Sequence, residues 1–180
     1  NLSMPVSITG TGQVDLQNSK MVVNYEGASA LADVKTAINS GSLTSSQLMS
    51  GRAIGFGEAS DLFAGPTGSF AGETVDSTSV VIAYTITGDA SLDGTVNSSD
   101  FNQLLASYGQ TSGSRWTEGD FDGDGKVTTL DFNVLAGQFG QSLPAGASLG
   151  APLGAVVPEP ATGVLAISGL MMGMKRRRTG

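Results

Sequence analysis

The chain carries two copies of one pattern, with every matched pair of residues 31 positions apart. Asp89 matches Asp120, Asp93 matches Asp124 and Gly94 matches Gly125. Asp100-Phe101-Asn102 returns as Asp131-Phe132-Asn133, and Leu104, Leu105, Tyr108, Gly109 and Gln110 return as Leu135, Ala136, Phe139, Gly140 and Gln141. A constant offset over that many positions marks an internal repeat, here running from Gly88 to Gln141.

Each copy opens with oxygen-bearing residues at the spacing of a calcium loop. An EF-hand loop places oxygen ligands at positions 1, 3, 5, 7, 9 and 12, with glycine at 6 for the sharp turn. The first copy puts Asp89, Ser91, Asp93, Thr95, Asn97 and Asp100 there, with Gly94 at the turn. The second puts Asp120, Asp122, Asp124, Lys126, Thr128 and Asp131, with Gly125. Position 7 ligates through its backbone carbonyl, which any side chain permits, and position 9 often acts through water. Valine follows at position 8 in both (Val96, Val127), where it can pair the backbones of the two loops. Four carboxylates in one twelve-residue loop repel one another unless a cation neutralises them. After each loop, apolar residues fall at helical spacing: Phe101, Leu104, Leu105 and Tyr108, then Phe132, Leu135, Ala136 and Phe139. No helix pattern precedes either loop.

Loop plus exiting helix, twice in tandem, resembles the dockerin type I family; GDASLDGTVNSSDFNQLLASYGQ and GDFDGDGKVTTLDFNVLAGQFGQ carry the resemblance. It implies two Ca2+ ions, one on the Asp89 loop and one on the Asp120 loop, and a cohesin-like protein partner. Cohesin contacts would come from loop ends and helix faces, where Ser98, Ser99 and Thr129 stand here. Position 12 is Asp, as in dockerins, where EF-hand sensors carry Glu. Ser91 replaces the usual Asp or Asn at position 3, so the first site is expected to be the weaker. Without a Met-rich groove the pair does not read as a calcium sensor.

Composition frames the rest. With 6% aromatic residues, 26 glycines and no cysteine, the chain has little bulk for a core and no disulfide to brace it. Absence of His and Cys also excludes Ser-His-Asp, Cys-His and His-metal mechanisms within this chain. A two-carboxylate glycosidase would have to draw on Glu58, Asp61, Glu73 or Asp76, which read better as surface acids. Setting aside the four basic residues at 175–178 leaves five positive charges against sixteen acids, a net of −11. Such a body attracts cations and repels nucleic acid.

The expected fold class is mixed. Residues 1–87 read as a small β-rich module, α+β or β-sandwich. It has a hairpin turning at Asn18-Ser19 and a helix around Leu31, Val34 and Ile38, with Ser29 as cap and Gly41 past the end. A glycine-rich loop region follows over 43–76, then a central strand from Ser79 to Thr87. Residues 88–141 read as an all-α dockerin-like pair of calcium loop-helix units. Residues 142–156 read as a flexible linker, and 157–180 as a tail ending in a C-terminal hydrophobic helix with a basic end.

The tail motif Val157-Pro158-Glu159-Pro160, an apolar run over 161–174 and a terminal arginine cluster resemble the PEP-CTERM sorting signal of exported bacterial proteins. That resemblance implies an exosortase as processing enzyme, transient or lasting membrane contact through the tail, and delivery to the cell surface or extracellular matrix. The first residue is Asn1 and no signal peptide precedes it, so the chain is expected to be the C-terminal part of a longer product, or a processed one. The function expected is a non-enzymatic, calcium-binding surface or docking module. The alternative is the non-catalytic end of a secreted polysaccharide-degrading enzyme, a glycoside hydrolase with its catalytic domain upstream.

Overall fold

In the computed structural model, residues 12–144 are described, and they lie within one compact unit. Its spine is β7 (Ser79–Ile86), whose eight residues are all buried. This strand pairs antiparallel on one side with β2 (Lys20–Asn24) and on the other with β4 (Arg52–Glu58), giving the sheet order β2-β7-β4. A parallel pair joins β1 (Val14–Asp15) to β3 (Leu43–Thr44), and β5 (Thr67–Phe70) pairs antiparallel with β6 (Glu73–Asp76). Four α-helices complete the unit: α1 (Leu31–Asn39), α2 (Ala59–Leu62), α3 (Ser98–Ser107) and α4 (Thr129–Gln138).

Side chains alternate across a strand, so β7 has two faces to bury. Val80, Ile82 and Tyr84 pack with Val34 and Ala37 of α1, together with Leu16, Val23, Leu43 and Ile54. Val81 and Ala83 face the other way and join Ala90, Leu92, Val96, Leu104, Trp116, Phe121, Val127 and Leu135. A strand covered on both faces reads as a continuous apolar run, which is the pattern of Ser79–Ile86.

The second cluster corrects the expected fold class. The loop-helix repeat is not an all-α unit beside a β-rich one. It supplies the apolar layer that covers one face of the sheet, and the whole is a mixed α/β unit of small sheets and four helices. Aromatic-poor chains bury little area per element, and sharing one core between both halves relieves that shortage. No helix among the described residues is long and apolar enough to cross a membrane. The expected C-terminal hydrophobic helix and the motif Val157–Pro160 lie outside the described residues.

Two local expectations also change. The strands around Asn18-Ser19 do not form a hairpin, because β1 pairs with β3 while β2 pairs with β7. The glycine-rich stretch contains β4 and the β5–β6 hairpin. Gly55 disguises β4 in the sequence, yet its bare backbone is needed: a Cβ there would meet Trp116 Nε1 at 2.7 Å. Around α1 the cap moves by one residue: Ala30, not Ser29, is the N-cap, although Ser29 Oγ accepts from the Leu31 N–H at 3.0 Å; Gly41 stands past the end as expected, its N–H returning to Ile38 O at 3.1 Å.

Candidate metal centre

Each loop begins where a regular element stops. After β7, the Asp89 N–H donates to Ile86 O at 3.0 Å; after the 3-10 turn Trp116–Glu118, the Asp120 N–H donates to Arg115 O at 3.0 Å. The glycine just before each loop packs on the helix of the other copy. A Cβ on Gly88 would stand 3.0 Å from Leu135 Cα, and one on Gly119 would stand 2.9 Å from Leu104 Cα.

The same reciprocity governs position 8. Val96 donates to Gln141 O at 2.9 Å and accepts from the Gly140 N–H at 2.8 Å. Val127 donates to Gln110 O at 3.1 Å and accepts from the Gly109 N–H at 2.9 Å. The valines therefore do not pair the two loops with one another. Each clips its loop to the Gly-Gln that follows the other copy's helix, which gives the repeated Gly-Gln its role. Phe101 and Phe132, equivalent in the repeat, meet edge to face at 6.2 Å.

In the second loop, Asp120, Asp122 and Asp124 each bring a carboxylate oxygen within 4.8 Å of the others, the one such trio among the described residues. Backbone N–H groups set these side chains. Gly123 and Gly125 donate to Asp120 at 2.9 and 3.0 Å, Asp124 to Asp122 at 3.1 Å, and Lys126 to Asp124 at 2.8 Å. The turn needs glycine at position 6, where Gly125 has φ +84° and Gly94 φ +92°. Asp131 is fully buried; it accepts from Phe121 N at 2.9 Å and from Thr128 N at 2.9 Å, closing the loop and capping α4. The Thr128 hydroxyl accepts from Leu130 N at 3.1 Å. An ionised carboxylate has about four lone-pair sites, so oxygens holding one N–H each keep capacity for a cation. A set of hard oxygens of this kind suits Ca2+.

The first loop has the same frame with a different filling. Asp100 is fully buried and accepts from Ser91 N at 2.9 Å and Asn97 N at 2.8 Å, while Asn97 caps α3 by accepting from Ser99 N at 2.7 Å. Asp93 accepts from Thr95 N at 2.7 Å. Asp89 is the most occupied carboxylate of this loop. It takes the Gly94 N–H at 2.8 Å, the Asp93 N–H at 3.3 Å, the Ser91 hydroxyl at 3.1 Å and the Thr85 hydroxyl. Asp89, Asp93 and Asp100 do not converge as the second-loop trio does. The chain stays against this loop beyond the repeat, with Leu143 N donating to Gly94 O at 2.8 Å and Ser142 bridging to Thr95.

Burial pushes the Asp89 carboxyl up to about 6; Thr85 and the Gly94 N–H oppose the rise, while the Asp100 and Asp93 charges add to it. Asp120 is raised too, chiefly by burial, against the Gly125 N–H and the Lys35 ammonium, with Asp131 adding to the rise.

Three residues at the site lie outside the ligand spacing. Thr85 of β7 bonds Asp89, Lys35 of α1 approaches Asp120 Oδ2 at 3.9 Å, and Trp116 donates its indole N–H to Asp89 O at 2.8 Å while stacking edge-on against Phe121 at 5.3 Å. Only the apolar size of Trp116 marks it in the sequence; Thr85 stands four residues before Asp89 on β7, and Lys35 comes from a helix distant along the chain.

Residues 87–139 match the family model for the dockerin type I domain. The segment is a dockerin domain. No curated protein and no solved structure matches the chain. The matched range ends at Phe139, the residue just past α4, so the dockerin domain comprises both loops and both helices. Elsewhere, three of the four acids weighed as catalytic candidates have partners within the fold, and Glu58 is not the surface acid expected. Glu58 is buried and accepts from Tyr25 and Ser29, Asp61 pairs with Arg115 at 3.0 Å, and Asp76 takes the N–H and hydroxyl of Thr78.

Proposed function

We propose that this chain is a calcium-stapled docking module whose dockerin domain takes two calcium ions and presents its helices to a cohesin-like protein. The observation that carries the calcium reading is the convergence of Asp120, Asp122 and Asp124 in a loop whose remaining positions are the Lys126 carbonyl, the Thr128 hydroxyl and the Asp131 carboxylate. Lys126 serves through its carbonyl, Thr128 through its hydroxyl or a water, and Asp131 from the far side. In the first loop Asp89, Ser91, Asp93, Thr95, Asn97 and Asp100 hold the second ion. Its affinity is lower, because Ser91 offers a hydroxyl in place of a carboxylate. Calorimetric titration of chelator-stripped protein with calcium should give two ions per chain in two affinity classes. Absence of any calcium-dependent heat overturns the proposal.

The docking half of the reading rests on exposed side chains of the two helices. Leu105, Tyr108, Leu130 and Phe139 are about half exposed or more, beside the exposed hydroxyl positions Ser98, Ser99 and Thr129. Leu105 and Tyr108 were expected on the buried stripe; α3 ends at Ser107, and only Leu104 of that stripe is fully covered. Apolar side chains left outside on both copies suit a protein partner. A purified cohesin should bind the chain in calcium and release it in chelator; no binding in calcium removes the docking assignment.

Export completes the reading. The tail motif Val157–Pro160 supports sorting to the cell surface, where millimolar calcium keeps such loops filled. Mass spectrometry of the protein recovered from its native surface tests the processing step: a C-terminus near Pro160 supports it, and an intact terminus at Gly180 contradicts it.

A further inference from the structure

The second loop meets a cation that belongs to the chain itself. Lys35 projects from α1, whose opposite side is fixed on the sheet through Val34 and Ala37. Its Nζ stands 3.9 Å from Asp120 Oδ2, and the Asp120 side chain is only 2% exposed. Both residues line one cavity of about 490 Å³, together with Phe56, Trp116 and Phe121. From this geometry we propose that Lys35 is a tethered counter-cation of the Asp120 loop, one that calcium must displace and that lowers the affinity of that site. The proposal rests on reading Asp120–Asp131 as a calcium loop.

Position distinguishes Lys35 from the other cations nearby. Lys126 Nζ lies 3.7 Å from Asp124 Oδ2, but both of those side chains are more than 40% exposed, and water screens such a pair. Arg115 is engaged by both oxygens of Asp61 at 3.0 and 3.1 Å. Lys35 alone of the three faces a nearly dry ligand carboxylate, where charge is screened least. An ammonium and a calcium ion cannot both crowd the same oxygen. The flexible four-carbon stem lets the ammonium withdraw into the cavity while α1 stays seated. The withdrawn charge remains near the ion, so part of the repulsion persists in the loaded state. Coulomb repulsion between a single and a double charge at roughly 6 Å, screened by water and salt, corresponds to about a three- to tenfold loss of affinity.

Calcium titration calorimetry on the full chain tests this with wild type, K35Q and K35R. K35Q should tighten one of the two sites by about three- to tenfold at low salt, with the gain shrinking as salt is raised. K35R should keep the wild-type affinity, because it keeps the charge. A K35Q protein with wild-type circular dichroism and unchanged or weaker calcium affinity overturns the proposal while leaving the calcium reading intact. Equal tightening in K35R and K35Q overturns it also, since charge would then not be the cause. A wild type that takes up no calcium removes both.

Discussion

Asp89 illustrates how one residue can pull stability and ligand binding in opposite directions. Its carboxyl is raised to about 6 in the metal-free fold, above the ordinary value of 3.8, mainly by burial. The folded state therefore binds more protons than the unfolded chain between those two values. Metal-free stability from this group rises as pH falls from about 7 towards 4, and is lost as pH climbs through 6. Calcium reverses the sign, because the ion needs the ionised carboxylate. Thermal melts at pH 7 and pH 5 should thus move up with acid in chelator and down with acid in calcium; a downward shift in both contradicts the buried-acid account. Ser91 makes the complementary case. Ser91→Asp should strengthen the weaker calcium site by about tenfold, as ligand charge sets loop affinity. It should also weaken the metal-free protein, since a hydroxyl donor to Asp89 becomes a second negative charge. Calorimetry and a melt in chelator check the two halves. At this scale the loop spacing was legible, because it is a local property of the sequence. The contacts of Thr85 and Lys35 were not: Thr85 lies only four residues before Asp89, but a strand pattern does not say that its hydroxyl turns to the loop, and Lys35 reaches Asp120 from a helix far along the chain.

Elements make their own demands, which the repeat reveals only in part. The constant offset exposed both loops and both helices, but not why Gly88, Gly119 and the two Gly-Gln pairs recur. The structure supplies the reason: each is the contact of one copy with the other. Gly119→Ala would set a Cβ 2.9 Å from Leu104 Cα, at a residue whose φ is +101°. The variant should lose about 1–3 kcal/mol in denaturant unfolding, in calcium and in chelator alike. A loss seen only in calcium would mean that Gly119 serves the metal and not the packing. Similar logic explains the strand that the sequence hid. Gly55 weakens the alternation of β4, yet it is where Leu92 and Trp116 press against the sheet.

The whole molecule is where local patterns ran out. Periodicity separated a β-rich part from a helical part at Thr87, and the second apolar face of β7 was visible as Val81 and Ala83. What covers that face is a long-range matter: Leu92, Leu104, Trp116 and Leu135 do so. Their burial ties the dockerin loops to the sheet, so calcium bound by the loops stabilises strands that carry no ligand. A site loaded at about a hundred times its dissociation constant adds about 2.7 kcal/mol to the folded state. Thermal unfolding of the full chain, followed at once by far-UV circular dichroism and by the emission of Trp116, the single tryptophan, reads both halves together. The predicted result is one coincident transition that falls by roughly 10 °C when calcium is replaced by chelator. A transition that chelator does not move, or a sheet signal that melts separately from an unshifted Trp116 signal, would contradict a calcium-stapled common core.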